Sequence, residues 1–174
     1  MRSSLKKIII VLLIIILGVL SIARIMYVNS RQHIDGTHTY KIGETFEYNG
    51  FQVKAEKVDF YSADDIKELY MEIPEEVLPE KEIVIRLEVK NMADEEQSFS
   101  LAPLTMQVGI EKGSAIDPYV YPYLNPELNG APVLEKGETQ IIMLAFPIEK
   151  VALEANEQIK LVLSLYPEKY EIEL

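Results

Sequence analysis

Cysteine is absent from the 174 residues. That excludes a disulfide framework, a thiolate zinc site and a cysteine nucleophile. It also excludes a bacterial lipoprotein, whose lipid needs a cysteine just after the apolar stretch. Histidine is nearly absent too: the two present, His33 and His38, both lie close to the N-terminal apolar run. A histidine triad within the remaining chain is therefore not available. Positive charge is scarce beyond residue 30. Arg2, Lys6, Lys7 and Arg24 stand in the first thirty residues with no acid, so all 28 acidic groups and only 13 of the 17 basic ones follow. The later 144 residues thus carry a net charge of −15. A field of that sign repels phosphate backbones, so no nucleic-acid partner is expected, and flat adhesion to anionic lipid is disfavoured.

What is present begins with oil. Residues 8–23, IIIVLLIIILGVLSIA, hold no charge. Continued through Arg24 to Val28, the stretch numbers 21 residues, and at ~1.5 Å per residue it crosses a ~30 Å hydrocarbon layer. Arg24 lies one turn from the end and reaches the interface by snorkelling. The basic tip holds the N-terminus in the cytoplasm. The expectation is a single-pass anchor in the lipid bilayer through residues 8–28, with everything after about residue 30 outside. A cleaved signal peptide ending at Ser21-Ile22-Ala23 is the alternative; it gives a secreted product and puts the same domain outside.

Residues 1–30 therefore read as tip and anchor, 31–39 as a polar linker, and 40–174 as one domain of ordinary size. Within it, Asn49-Gly50 is a two-residue hairpin turn. The return strand alternates over Phe51, Val53 and Ala55, then changes phase near Lys57, which predicts a bulge followed by inward Val58 and Phe60. Residues 62–73 switch to helical spacing behind a capping-box-like Ser62 and Asp65. Residues 82–91 form the clearest strand, with Ile83, Ile85, Leu87 and Val89 inward and Arg86, Glu88 and Lys90 in water. Ser98–Ala102 and Leu104–Ile110 read as strands. Thr139–Phe146 is almost wholly apolar and suits a central strand. Alternation over Ile159, Leu161, Leu163 and Leu165, then over Tyr170, Ile172 and Leu174, closes the chain. Seven or eight strands with one short helix predict an all-β antiparallel sandwich.

Three stretches carry a family likeness: IGETFEYNGFQVKAEKVDF from Ile42, the strand ending in Asn91, and LEKGETQIIMLAFPI from Leu134. The pattern resembles the immunoglobulin-like domains of uncharacterised secreted and membrane-anchored surface proteins of Gram-positive bacteria. These share the sandwich of a secreted mycobacterial immunoprotective antigen. The likeness covers residues 42–166. It implies an immunoglobulin-like fold and an extracellular location, and offers no catalytic residues to carry over.

Candidate chemistry is sparse. Ser-x-x-Lys at Ser3–Lys6 and Ser4–Lys7 falls in the cytoplasmic tip, where the lysines already set topology. No nucleophile elbow, zinc-binding helix or phosphate loop occurs. Acids cluster at Asp64, Asp65 and Glu68, at Asp94–Glu96, and at Glu72, Glu75, Glu76, Glu80 and Glu82. Oxygen ligands suit calcium, but the spaced Asp loop of a calcium site is missing, and a solvated acidic surface accounts for them. No metal or other cofactor is expected, and no enzymatic activity. The remaining feature is Asp117-Pro-Tyr-Val-Tyr-Pro-Tyr-Leu-Asn-Pro126. Extended, it puts Tyr119, Tyr121 and Tyr123 on one face as a stiff contact surface. The alternative is that these rings pack over the open end of the sandwich. The expected function is a non-catalytic binding module for an extracellular protein or envelope component. The alternatives are an architectural subunit of an envelope assembly and a calcium-stabilised surface module.

Overall fold

The computed structural model describes residues 12, 15–27, 36–69, 74, 79, 81–109, 113–148 and 158–174. The chain divides into two compact units, Met1–Asp35 and Gly36–Leu174. In the first, residues 15–27 are helical (α1), and its apolar side chains, from Ile15 to Tyr27, are exposed. Among the described residues no helix is long and apolar enough to cross a membrane. Residues 8–11, 13, 14 and 28 of the expected span lie outside the described residues.

The second unit is built on two main sheets. One orders β2 (Thr45–Tyr48), β3 (Phe51–Ser62), β4 (Lys81–Asn91) and β9 (Thr139–Pro147). The other orders β1 (Gly36–Lys41), β11 (Glu168–Glu173), β10 (Ile159–Ser164), β6 (Thr105–Val108) and β7 (Ser114–Ala115). A short ladder pairs β5 (Gln97–Ser98) with β8 (Val133–Leu134). Two helical pieces, α2 (Ala63–Leu69) and α3 (Tyr121–Leu124), complete the unit. Between the sheets lie Ile83, Ile85, Leu87, Val89, Ile142, Leu144, Phe146, Leu161, Leu163 and Ile172, all fully buried. The four from β4 alone contribute roughly 6–12 kcal/mol before chain entropy is subtracted. The all-β sandwich expected from alternation is the observed architecture.

Several local expectations hold. Asn49 (φ 50°) and Gly50 (φ 82°) make the hairpin turn, with Tyr48 opposite Phe51. The bulge falls between Ala55 and Lys57. Asp65 closes the capping box, accepting from the Ser62 N–H and hydroxyl at 2.7 Å each, while its own N–H donates to Ser62 Oγ at 3.2 Å. Other expectations fail. Phe60 has the inward register but is 56% exposed; β2 pairs with β3 only as far as Lys54, so at Phe60 β3 is the edge of its sheet. Leu165 likewise is exposed in the turn after β10. The strand expected over Ser98–Ala102 shrinks to Gln97–Ser98, and the one over Leu104–Ile110 to Thr105–Val108.

The linker expected over 31–39 runs into a strand at Gly36. β1 pairs in parallel with β11, Gly36 opposite Glu168 through Lys41 opposite Glu173. Its residues are polar because it is a sheet edge, and only a partner 132 positions away reveals it. Glu171 is the knot there: Thr39 Oγ1 donates to it at 3.0 Å and Lys160 Nζ at 2.7 Å, with Lys169 on the other oxygen. His38 is not on a loose tether either; it stacks on Tyr170 at 4.6 Å and lies 3.3 Å from Glu168. His33 lies outside the described residues.

The central position expected for Thr139–Phe146 is also corrected. β9 is an edge strand of its sheet, bonded to β4 on one side only. It is apolar because both of its faces are covered: Leu144 and Phe146 face the main core, while Ala145 joins Ile66 of α2, Val84 and Val120 in a second apolar cluster on the outer face. Cover above and below is a different property from neighbours left and right. The open edge is closed by side groups. The Asp117 N–H donates to Ala145 O at 2.8 Å. The Asn125 amide copies a peptide group, accepting from Met143 N–H and donating to Met143 O at 2.8 Å each.

Candidate functional site

The β2–β3 turn stands beside β5. Gly50 O accepts from Met92 N–H at 2.9 Å, which ties the turn to the end of β4, and Phe99 N–H donates to Pro132 O at 2.9 Å, which ties the end of β5 to the start of β8. Between them opens a cleft of about 320 Å³ lined by Tyr48, Asn49, Phe51, Gln97, Ser98, Phe99, Ser100 and Pro103. Its floor is aromatic. Phe51 meets Phe99 edge to face at 5.3 Å, and Tyr48 meets Phe99 edge-on at 6.5 Å. The Tyr48 hydroxyl is committed below, donating to Leu163 O at 3.0 Å. Burial pushes its phenol above the ordinary value, against a smaller opposite pull from Ser164, so it stays neutral.

The rim is amide and hydroxyl, with no charged side chain in the lining. Gln97 Oε1 is buried there and has no hydrogen-bond partner. Gly50 permits this approach: a Cβ on it would come within 3.1 Å of that oxygen, on a backbone already at positive φ. An orphaned carbonyl oxygen costs roughly 1–3 kcal/mol, which a ligand or water offering an N–H or O–H recovers once the Gln97 side chain turns it away from Gly50 into the cleft. The cleft volume is at the small end of the range for ligand sites. Chain order hides it: Gly50 and Gln97 are far apart, and Gln97 reads as the end of a polar turn.

The Tyr/Pro segment is not extended. Asp117 Oδ1 accepts from the Tyr119 and Val120 N–H groups at 2.7 and 3.0 Å, which bends the chain. Pro122 then suits the first turn of α3. The three tyrosines consequently part. Tyr119 is 59% exposed. Tyr121 is buried in the main core, with its hydroxyl donating to Gly130 O at 3.0 Å. Tyr123 packs against the second cluster. One contact face built from all three is not formed. Tyr121→Ala is expected to destabilise by about 3 kcal/mol, through the cavity and the bare Gly130 carbonyl. Tyr119→Ala is expected to leave the melting temperature within about a degree. Thermal unfolding of the two variants checks both.

The acids also separate. Asp65 is spent on the α2 cap, and Asp94 is paired with Lys136 at 2.6 Å on the surface. Among the described residues no three His, Cys, Asp or Glu side chains converge as metal ligands. Glu72, Glu75, Glu76 and Glu80 lie outside the described residues. Glu82 is not part of a solvated surface: it is 1% exposed on the covered outer face of β4.

The likeness-bearing stretches prove to touch one another. The buried Asn91 amide donates to Glu95 O at 2.8 Å and Leu134 O at 2.9 Å, and accepts from Ala93 N–H at 2.9 Å. Gly137, at φ 74°, donates its N–H to Asn91 O. These residues brace strand ends.

The fold matches a crystal structure of the yjhA protein from Bacillus subtilis with a TM-score of 0.54 at 15% identity, over 78% of this chain and 99% of that one. A conserved hypothetical protein from Bacillus anthracis matches with a TM-score of 0.50 at 18% identity, over 75% of this chain and 94% of that one. An uncharacterized β-sandwich protein from Clostridium difficile 630 matches with a TM-score of 0.50 at 12% identity, over 79% and 95%. At such identities the likeness is one of fold. No curated protein matches the chain. Residues 37–170 match the sequence profile of a family described as Domain of unknown function (DUF5028).

Proposed function

The chain belongs to the DUF5028 family, and we propose that it is a membrane-anchored, extracellular, immunoglobulin-like module that binds an uncharged ligand and has no reaction of its own. The observation that carries the binding role is the cleft beside Asn49 and Gly50, where a buried, unpartnered Gln97 oxygen sits in a lining without charge. Such a lining favours a neutral group rich in N–H or O–H donors, of the kind borne by amides and sugars. The anchor reading is supported by the exposed apolar side chains of α1 and by the basic tip that precedes them. The likeness to surface proteins of Gram-positive bacteria, carried by the stretches around Asn49, Asn91 and Gly137, agrees with an outward-facing domain.

The test uses the full chain in detergent micelles, with N,N′-diacetylchitobiose and N-acetyl-dialanine amide as neutral probes and acetate and lysine as charged ones. A neutral probe at millimolar concentration is expected to shift the backbone amide resonances of Asn49, Gln97 and Ser98. Gln97→Met, which keeps the chain length and removes the orphaned acceptor, is expected to fold normally and lose that shift. Charged probes that perturb the cleft as strongly, or neutral ones that leave it untouched, defeat the reading. Membrane fractionation of intact cells tests the anchor, which predicts release by detergent and not by high salt.

A further inference from the structure

Two acids meet beneath the segment that covers the outer face of the four-stranded sheet. Glu82 is 1% exposed and Asp117 6%. Glu82 projects from β4, in register with Tyr61 on β3 and Pro147 on β9. Asp117 leads into α3. Its main chain is tied to β9 through Ala145 O, and its carboxyl takes two backbone N–H groups. Glu82 has no such donor: among the described residues neither of its carboxylate oxygens has a hydrogen-bond partner. Two adjacent buried carboxylates do not ionise together, so one proton resides on the pair, and it resides on Glu82. As the acid, Glu82 donates to Asp117.

We propose that Glu82 and Asp117 form a buried proton-binding site that fastens residues 117–125 to the sheet and frees them when the proton leaves. In the fastened state the Glu82 O–H bridges β4 to the Asp117 turn. On opening, that O–H bond breaks and the proton passes to hydroxide or a buffer base. Two facing carboxylates remain, and they repel. What the segment uncovers is apolar: Val84 and Ala145, with Ile66 of α2 alongside.

Among the described residues, the surrounding charges do not supply a substitute partner. On β3, Asp59 is paired with Lys57 at 2.7 Å, and Tyr61 stands opposite Glu82. On β4, Arg86 is engaged by Glu56 at 2.8 Å, and Lys81 precedes Glu82 in the chain. α2 carries Asp64, Asp65, Lys67 and Glu68, and the covering segment carries Tyr119 and Tyr123. β9 has no titratable side chain. Burial first, then the neighbouring Asp117 charge, then the hydrogen bond to it, push the Glu82 carboxyl up to about 9.

Hydrogen exchange of the full chain between about pH 6 and 9 tests the proposal. The informative amides are Asp117, whose N–H is held by Ala145 O, Tyr119 and Val120, held by the Asp117 carboxyl, and Met143, held by Asn125. Corrected for intrinsic chemistry, their protection is expected to fall about tenfold per pH unit, because opening releases one proton. Amides inside the β3–β4 ladder should not follow. In Glu82→Gln, which keeps a donor toward Asp117, the dependence should vanish. A wild-type protection that ignores pH, or an equal slope in the variant, overturns the proposal. Restored protection on adding calcium at about pH 9 also overturns it, in favour of a cation between the two acids. Should Glu82→Gln not fold, carbon-detected titration of the wild-type Glu82 carboxyl decides instead; an ordinary midpoint near 4.5 defeats the idea.

Discussion

Heated at about pH 5 and again at about pH 8.5, the protein is expected to unfold at the lower temperature in the alkaline buffer. Glu82 is the cause. Its carboxyl is raised from 4.5 when unfolded to about 9 when folded, so the native state holds one more proton across that window. Stability from such a group is complete below about 4.5 and is lost as pH rises toward 9, at about 1.4 kcal/mol per unit. Glu171 works in the opposite sense. Burial raises its carboxyl, but hydrogen bonds from Lys160, Lys169 and Thr39 together outweigh that and leave it below the ordinary value. Its contribution is present above its unfolded value and is lost as pH falls through its folded one. The two limbs place the stability maximum on the acid side of neutrality. Glu82→Gln removes the alkaline limb and keeps the acid one. At about pH 8.5 the variant should gain roughly 2–5 kcal/mol, read from denaturant midpoints at unchanged slope. An alkaline limb that survives the substitution would show that another group carries it.

The second large effect is expected at Asn91. Its amide is fully buried and makes three hydrogen bonds, two of them to main-chain carbonyls of separate segments. Asn91→Ala leaves those groups bare and opens a cavity, at a cost of about 3–4 kcal/mol. Asn91→Asp nearly preserves the shape, yet sets an anion against the carbonyls of Glu95 and Leu134. It should cost at least as much near pH 7, because a buried unpaired charge is worse than a void. Chemical unfolding of both variants tests the order. A cost below about 1 kcal/mol for Asn91→Asp would mean that the amide does not brace these strands.

These two residues had different visibility in the sequence. Asn91 ends an alternating strand and belongs to a likeness-bearing stretch, so it could be singled out, though not explained. Glu82 begins the same strand and looks like one more surface acid. Nothing local distinguishes it from Glu88, which is only half-buried. The difference is made by α2 and by residues 117–125, which cover one end of the outer face and leave the other wet. The spacing of the tyrosines misleads for a related reason. Alternate spacing places rings on one face only if the backbone is extended. Asp117 spends its carboxyl on the next turn instead, and the rings diverge.

Local chemistry by itself determined the Asn49–Gly50 turn, the bulge before Lys57, the Ser62–Asp65 cap and the inward set on β4. Each depends on steric or hydrogen-bonding preferences that act within a few residues. Tertiary structure alone decided the strand identity of Gly36–Lys41, the edge position of β9, the cleft at Gln97 and the burial of Glu82. Each of those depends on contacts between residues far apart in the chain, whose free energy exists only after both partners are in place.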